Sequence, residues 1–353
     1  MKFENNSKKN NMNRYLKFIL PIFFTLISIF GFLSINEIYS IFKKGKEEKF
    51  IIIPENTSVI DISKILKKEK IISTPFLFQV YSKFKDYKNM KSGKFKLKTN
   101  MKYSDIINTI TKNENVIYDE KITIYPGMDF FTLKEKYKSK LNNIKIEDVI
   151  YEINNKENFS KYSFIKEIDE KNLKNTYYPM EGLILDATFP IKNNATAKSI
   201  ANDILKKSND RILELKEEIK KSKLSFYDIF KIASVIQGET DDVDEMERIS
   251  GVFHNRMKIQ MRLEADPTRN YSKKIEKDMQ EKNLKIDQSL VEGYNTYKVK
   301  MPNGPVCTPS IEAIRAAINP VFEGYYYFCA DQETGKIFYG KDFENHKKNY
   351  IKD

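Results

Sequence analysis

The chain has 353 residues, 41% of them hydrophobic and 13% aromatic with no tryptophan, which leaves room for two domains and a sizeable core. Its formal net charge is +12, but lysine is scattered along the whole length rather than gathered in one tract, which argues against a nucleic-acid-binding face. A diffuse basic surface suits a protein working beside anionic lipid and anionic wall polymer.

The N-terminus comes first. "FILPIFFTLISIFGFLSI", Phe18 to Ile35, carries no charge and is just long enough to cross a bilayer. Lys2, Lys8, Lys9, Arg14 and Lys17 precede it. The positive-inside rule then makes residues 1–17 a cytoplasmic tail, 18–36 a single-pass transmembrane anchor, and everything from 37 extracytoplasmic. The alternative is a cleaved signal, although the segment is long for one and no A-x-A-like site follows. Residues 37–49, ending in "KKGKEEK", read as a short charged tether.

After the tether, Phe50–Ile53 is a short apolar strand, and Val59, Ile60, Ile62 and Ile65 open an amphipathic helix. A second helix follows Pro75, "GKFKLK" (Gly93–Lys98) alternates like a strand, and "KYSDIINTITKN" is helical again. This compact block, residues 50–115, holds no catalytic constellation. From 116 to 353 a strand at Ile122–Ile124 and a turn at Pro126-Gly127 lead into helices near 146–155 and 160–168. "YPMEGLILDATFPI" (Tyr178–Ile191) reads as extended, and a long charged helix runs from about Thr196 to Lys221.

Chemistry concentrates after residue 225. Ser225 and Asp228 fit a capping box, so a helix starts there, with Ile229, Ile232, Ala233 and Ile236 on one face. Glu239 projects to the edge of that face. Two readings stand side by side: a half-buried carboxyl whose pKa is raised to suit a general acid, or a helix that frays at Gly238 and leaves Glu239 in water. Asp241, Asp242, Asp244, Glu245 and Glu247 precede or open the next helix and suit its N-terminus. Asn255 and Arg256 lie at that helix's flank, where an amide and a guanidinium can bind a sugar or order a carboxylate. "EADPT" (Glu264–Thr268) reads as a turn holding Asp266 and Thr268. "YNTY" (Tyr294, Asn295, Thr296, Tyr297) offers ring faces and amides for a pyranose, or strand packing. Cys307 and Cys329 either pair or pack as apolar residues. They form no ligand spacing with His254 and His346 that would suggest a metal.

In order, "ASVIQGET", "GVFHNRM", "EADPT", "YNTY", "GPVCTPS", "AAINP" and "YYYFCAD" resemble the YceG-like endolytic murein transglycosylase family. "IIIPENTSVIDISKIL" resembles that family's LysM-like module, and "MEGLILDATFPI" another of its stretches, so the resemblance runs from about 50 to 345. It implies an α+β fold: the transmembrane helix, a small LysM-like α/β module at 50–115 and a helix-rich mixed catalytic domain at 116–353. It also implies a lytic transglycosylase that cuts the MurNAc-GlcNAc β-1,4 bond of nascent glycan strands and leaves 1,6-anhydro ends, with Glu239 as the acid. Asn255, Arg256, Asp266, Thr268, Tyr294, Asn295 and Tyr297 are the expected groove or supporting residues. No cofactor, no metal and no nucleic acid are implied; the expected partners are peptidoglycan strands, the membrane and peptidoglycan synthases. Gln237 stands where the family often has a second glutamate, Leu185 and Ala187 depart from its pattern around Asp186, and no role carries over for His346, displaced by one in "ENH". A non-catalytic glycan-binding scaffold, and a lysozyme-like hydrolase pairing Glu239 with Asp241, Asp242 or Asp266, are the alternatives.

Overall fold

The computed structural model describes residues 3–42, 47–54, 56–85, 90–118, 120–139, 141, 143–192, 195–331, 334 and 336–350, with backbone alone for 3–19 and 347–350. The chain is mixed α+β, rich in helix, and divides into two units: Met1–Asp119 with Lys192–Asn194, and Glu120–Ile191 with Ala195–Asp353.

The first unit opens with α1 (Phe3–Tyr39), whose stretch Leu20–Tyr39 has a mean hydropathy of 1.7 and the length to cross a membrane. Within that stretch Thr25 and Ser28 donate their hydroxyls to the carbonyls of Pro21 and Phe24, so these polar groups are satisfied inside the helix. The helix continues past the expected end of the anchor. Its last turn docks, because the Glu37 carboxylate accepts from the Ser73 N–H (2.6 Å) and the Tyr103 hydroxyl (3.2 Å). Lys43–Lys46 of the expected tether lie outside the described residues. β1 (Glu48–Ile53), α2 (Val59–Lys68), α3 (Pro75–Phe84), β2 (Gly93–Lys98) and α4 (Tyr103–Thr111) follow. Ser58 caps α2, and Pro75 opens α3 where a missing N–H is harmless. β1 and β2 pair antiparallel with Ile51 opposite Phe95, and their inner residues bury against Ile62, Leu66, Phe78, Ile106 and Ile110.

The second unit begins with β3 (Glu120–Ile124), α5 (Phe130–Lys136), α6 (Ile146–Asn154), the one-turn α7 (Lys156–Phe159) and α8 (Glu170–Lys174). β4 (Ala187–Ile191) pairs antiparallel with β3, Ile122 opposite Phe189. The stretch expected to be extended from Tyr178 is a run of turns as far as Ile184 and becomes strand at Ala187. The reason lies at Gly182 (φ +64): a side chain there would collide with Pro305 and the Cys307 carbonyl, so chain 305–307 crosses directly over this turn. The expected helix at 160–168 shortens to a 3-10 turn at Ser163–Glu167.

The long charged helix breaks at Leu215 into α9 (Ala197–Glu214) and α10 (Lys216–Ile219). Then come α11 (Phe226–Glu239), α12 (Val243–Lys258), α13 (Asp266–Glu281), α14 (Gln288–Glu292), α15 (Ile311–Ile318), the antiparallel hairpin β5 (Tyr327–Ala330) and β6 (Ile337–Gly340), and α16 (Phe343–Tyr350). α11 is the central helix of this unit, packed against α12, α13 and α15. The sequence suggests one apolar face; in the fold every residue from Ile232 to Gln237 is buried.

Candidate active site

The site is built on the C-terminal end of α11. Ser225 starts the helix by accepting from the Asp228 N–H (3.1 Å). The helix does not fray at Gly238. It runs through Glu239 and closes at Thr240, whose N–H donates to the Ile236 carbonyl (3.2 Å).

Three residues before the end fix what surrounds it. Ser234 accepts from the Val306 N–H (3.0 Å), and the Cys307 thiol donates to the Ser234 carbonyl (3.2 Å), so Cys307 is a buried packing residue outside any disulfide. Gln237, also buried, donates to the Asp241 carboxylate (2.7 Å) and accepts from the Ser310 N–H (3.0 Å). One side chain must therefore be donor and acceptor at once, which an amide does and a carboxylate does not. Gly238 is exposed, and a Cβ there would stand 2.6 Å from Pro267 Cβ. Glycine thus lets the first turn of α13 come down on the end of α11, and the Asp266 backbone N–H reaches the Glu239 carboxyl.

Glu239 is half-buried at this junction. Its pKa is pushed up to about 7, first because burial disfavours the charged form and then because the Asp266 carboxylate is near. The Asp266 N–H and the Arg256 guanidinium work the other way and favour the ionised form. The group can therefore give a proton and take one back near neutral pH.

The expected groove residues separate into distinct places. Asp266 is exposed; it accepts from the Tyr297 hydroxyl (2.7 Å) and pairs with Arg269 (3.0 Å). Tyr297 exposes its ring, lies 5.0 Å from the Arg269 guanidinium, and is influenced by both Asp266 and Glu239. Glu239, Asp266, Tyr297 and, unanticipated, Arg269 thus form one accessible cluster. Arg256 is buried: it donates to the carbonyls of Tyr326 and Leu263 and faces Glu264 at 3.6 Å, so its charge reaches Glu239 while its hydrogen bonds hold loops. Asn255 donates to the Tyr325 carbonyl (2.9 Å) and ties down the same loop.

Thr268 is fully buried, donating to the Ala265 carbonyl and accepting from the Thr296 N–H, with the Thr296 hydroxyl 2.7 Å away. Asn295 accepts from the Tyr297 N–H and shapes the turn that presents Tyr297. Tyr294 offers no ring face to a ligand. It is fully buried, its hydroxyl accepting from the Tyr177 N–H (3.2 Å) and its ring 5.0 Å from that of Tyr271. "YNTY" is a turn rather than a strand.

The candidate second acids are differently occupied. Asp242 caps α12 by accepting from the Asp244 and Glu245 N–H groups, and Asp241 is held by Gln237. His346 stacks on Tyr327, the ring that the Arg256 guanidinium approaches at 5.1 Å. Among the described residues, no group of three or more His, Cys, Asp or Glu side chains is arranged to hold a metal ion.

Residues 51–352 match the model of the YceG-like family. An endolytic murein transglycosylase of Bacillus subtilis (strain 168) is 30% identical over 315 residues, 87% of this chain and 85% of that protein. A protein of the same name from Streptococcus pneumoniae serotype 2 is 25% identical over 350 residues, 93% of this chain but 63% of the longer relative. The 2.6 Å crystal structure of a putative YceG-like protein from Listeria monocytogenes is similar with a TM-score of 0.55 at 28% identity, covering 86% of this chain and 99% of that one.

Proposed function

The chain belongs to the YceG-like family, and we infer that it is an endolytic murein transglycosylase, a lyase that cuts peptidoglycan glycan strands, with Glu239 as its acid and base. The observation that carries the residue assignment is the Glu239 carboxyl at the accessible end of α11 with its pKa lifted to about 7.

In this reading protonated Glu239 gives its proton to the oxygen of the MurNAc-GlcNAc β-1,4 bond as the bond to C1 breaks. The resulting carboxylate, favoured by the Asp266 N–H and the Arg256 charge, removes the proton from the C6 hydroxyl of the same muramic residue. The C6 oxygen closes on C1, giving a 1,6-anhydro end with no water consumed. One carboxyl serves both halves, unlike the two-carboxylate hydrolytic schemes. Tyr297, Asp266 and Arg269 supply a ring face and polar groups beside the reacting bond, while Asn255, Arg256, Thr268 and Asn295 hold the loops that carry them.

The family membership and α1 together support further parts of the reading. Residues 18–36 anchor the protein in the bacterial cell membrane with its N-terminus in the cytoplasm, residues 50–115 form a LysM-like module, and residues 116–353 form the catalytic domain. Held at the membrane, the enzyme acts on nascent strands beside peptidoglycan synthases and helps terminate their elongation. Asp266, the carboxylate that raises the Glu239 pKa, makes a lysozyme-like hydrolase the second reading.

Mass spectrometry of the products released from purified glycan strands separates the two. Anhydro-ended fragments, one water lighter than hydrolysed ones and missing with Glu239→Gln, are expected. Reducing-end fragments would establish the hydrolase.

A further inference from the structure

Besides α1, α3 of the first unit exposes an apolar helix face. On α3, Phe76, Val80 and Phe84 recur every four residues and are 66%, 42% and 89% exposed, while Phe78 and Ser82 face the core. Single exposed apolar residues are ordinary, but three in line on a ten-residue helix form a stripe that water solvates poorly.

Its surroundings say what covers it. α3 begins two residues after Ser73, whose N–H donates to Glu37 on the last turn of α1. Ile38 packs on the unit's core, and the Ser40 hydroxyl donates to the Met101 carbonyl (2.8 Å), so the end of α1 is fixed to this unit. The twenty residues Leu20–Tyr39 are about 30 Å long as a helix, the thickness of the hydrocarbon layer. If they span, Glu37 emerges at the headgroups and brings the Ser73–Pro75 corner with it. α3, about 15 Å long, then starts at that level. Exposed Ile41 and Phe42 follow directly on the docked end of α1.

Charge points the same way. Lys67 and Lys68 close α2, Lys70 follows, and Lys83 and Lys85 lie at the end of α3, all five exposed. An apolar stripe flanked by lysines is the chemistry of a helix lying in an anionic lipid surface.

We propose that the Phe76–Val80–Phe84 face of α3 beds into the anionic lipid leaflet from which α1 emerges, a second membrane contact that fixes how the first unit stands on the bilayer. The proposal rests on the anchor reading of α1. The lipid takes up the stripe, and the flanking lysines meet the phosphates. The contact therefore weakens when anionic lipid is replaced or salt is raised, which the anchor alone would not do.

Because the chain has no tryptophan, each introduced one reports alone. Full-length Phe24→Trp, Phe76→Trp, Phe84→Trp and Tyr151→Trp are placed in phosphatidylglycerol–phosphatidylethanolamine vesicles with brominated acyl chains. Phe76→Trp and Phe84→Trp are expected to emit further to the blue and to lose roughly half their intensity or more, as a residue seated at the acyl boundary does. Replacing phosphatidylglycerol with phosphatidylcholine should relieve that quenching while leaving Phe24→Trp quenched. Tyr151→Trp, on α6 of the second unit, supplies the water-exposed reference. Quenching at Phe24→Trp with none at Phe76→Trp and Phe84→Trp would overturn the proposal and leave the anchor standing. Unquenched Phe24→Trp would overturn the anchor reading and the proposal together.

Discussion

Two glutamates of the second unit have raised pKa values, and they differ in what their oxygens do. Glu181 is fully buried; burial and then the nearby Asp129 carboxylate push its pKa up to about 8. Its oxygens accept from the Phe130 N–H (3.0 Å), the Tyr271 hydroxyl (3.1 Å) and the Gly182 N–H (3.3 Å). Through Tyr271 it holds α13, the helix whose first turn meets Glu239. The pKa of Glu239 is also raised, to about 7, but the residue sits half-exposed at a helix end with the Asp266 N–H as its backbone donor. A raised pKa alone therefore does not mark an acid catalyst. What separates the two is access: Glu181 is enclosed by the fold, and Glu239 is partly exposed at the end of its helix.

The same substitution at both positions tests this comparison hardest. Glu239→Gln should cut strand cleavage by about a thousandfold or more with the fold intact, within the range removed with a general acid. Glu181→Gln keeps an acceptor for Phe130 and Tyr271 and should leave activity within about threefold, because it touches no substrate. Equal losses of activity, measured as released product per enzyme, would erase the distinction.

Stability against pH gives the next largest effect. Both carboxyls hold their protons in the folded state to higher pH than in the unfolded chain, where 4.5 is the ordinary value. The unfolded state therefore releases protons first as pH rises, and stability falls from about pH 4.5 to about pH 8, with no further loss from these groups above that. Denaturant unfolding should show a decline on the order of 5 kcal/mol across this window, and Glu181→Gln should flatten most of it, since the exposed share of Glu239 is screened by water.

Gly238→Ala sharpens the geometric half of the account. Its methyl group would overlap Pro267, push back the first turn of α13 and move the Asp266 N–H away from Glu239. The expected result is a loss of about 10–100-fold in kcat, from misplacement of the junction, with stability lowered by about 1–3 kcal/mol. Asp266→Asn should have the smallest effect. Removing that negative charge lowers the Glu239 pKa, so the upper limb of the pH–rate profile should move down by about one unit or less. An upward move would mean that Asp266 acts on Glu239 by some route other than its charge.

The sequence made Glu239 legible because local rules place it. The Ser225 cap starts α11, and helical spacing carries the carboxyl to the edge of an apolar run. The strands at Phe50–Ile53 and Gly93–Lys98 were likewise legible as a short apolar run and an alternating run, but their antiparallel pairing is made across the intervening α2 and α3 and is set by the shared core. Distant contacts set what was harder to read. The "EADPT" stretch contains a turn signal, but Pro267 is also a good residue for a helix's first turn, and the helix Asp266–Glu281 prevails because Tyr271 and Ile275 have a core to enter. Whether a given tyrosine of "YNTY" is buried or exposed depends on Tyr177 and Asp266, far away in sequence. The roles of Gly182 and Gly238 come from the chain that crosses each, which their local sequence does not show. Arg269 had a local signal, three residues after Asp266 on a helix, but only once the helix itself was recognised.

The most direct test of the central claim is a titration of the Glu239 carboxyl, by carbon NMR of protein labelled in glutamate, with Glu239→Gln identifying the resonance. The expected midpoint is at about 7, moving down in Asp266→Asn. A midpoint at the ordinary carboxylate value of 4.5 would contradict it, since the group would then be ionised at neutral pH with no proton to give the glycosidic oxygen.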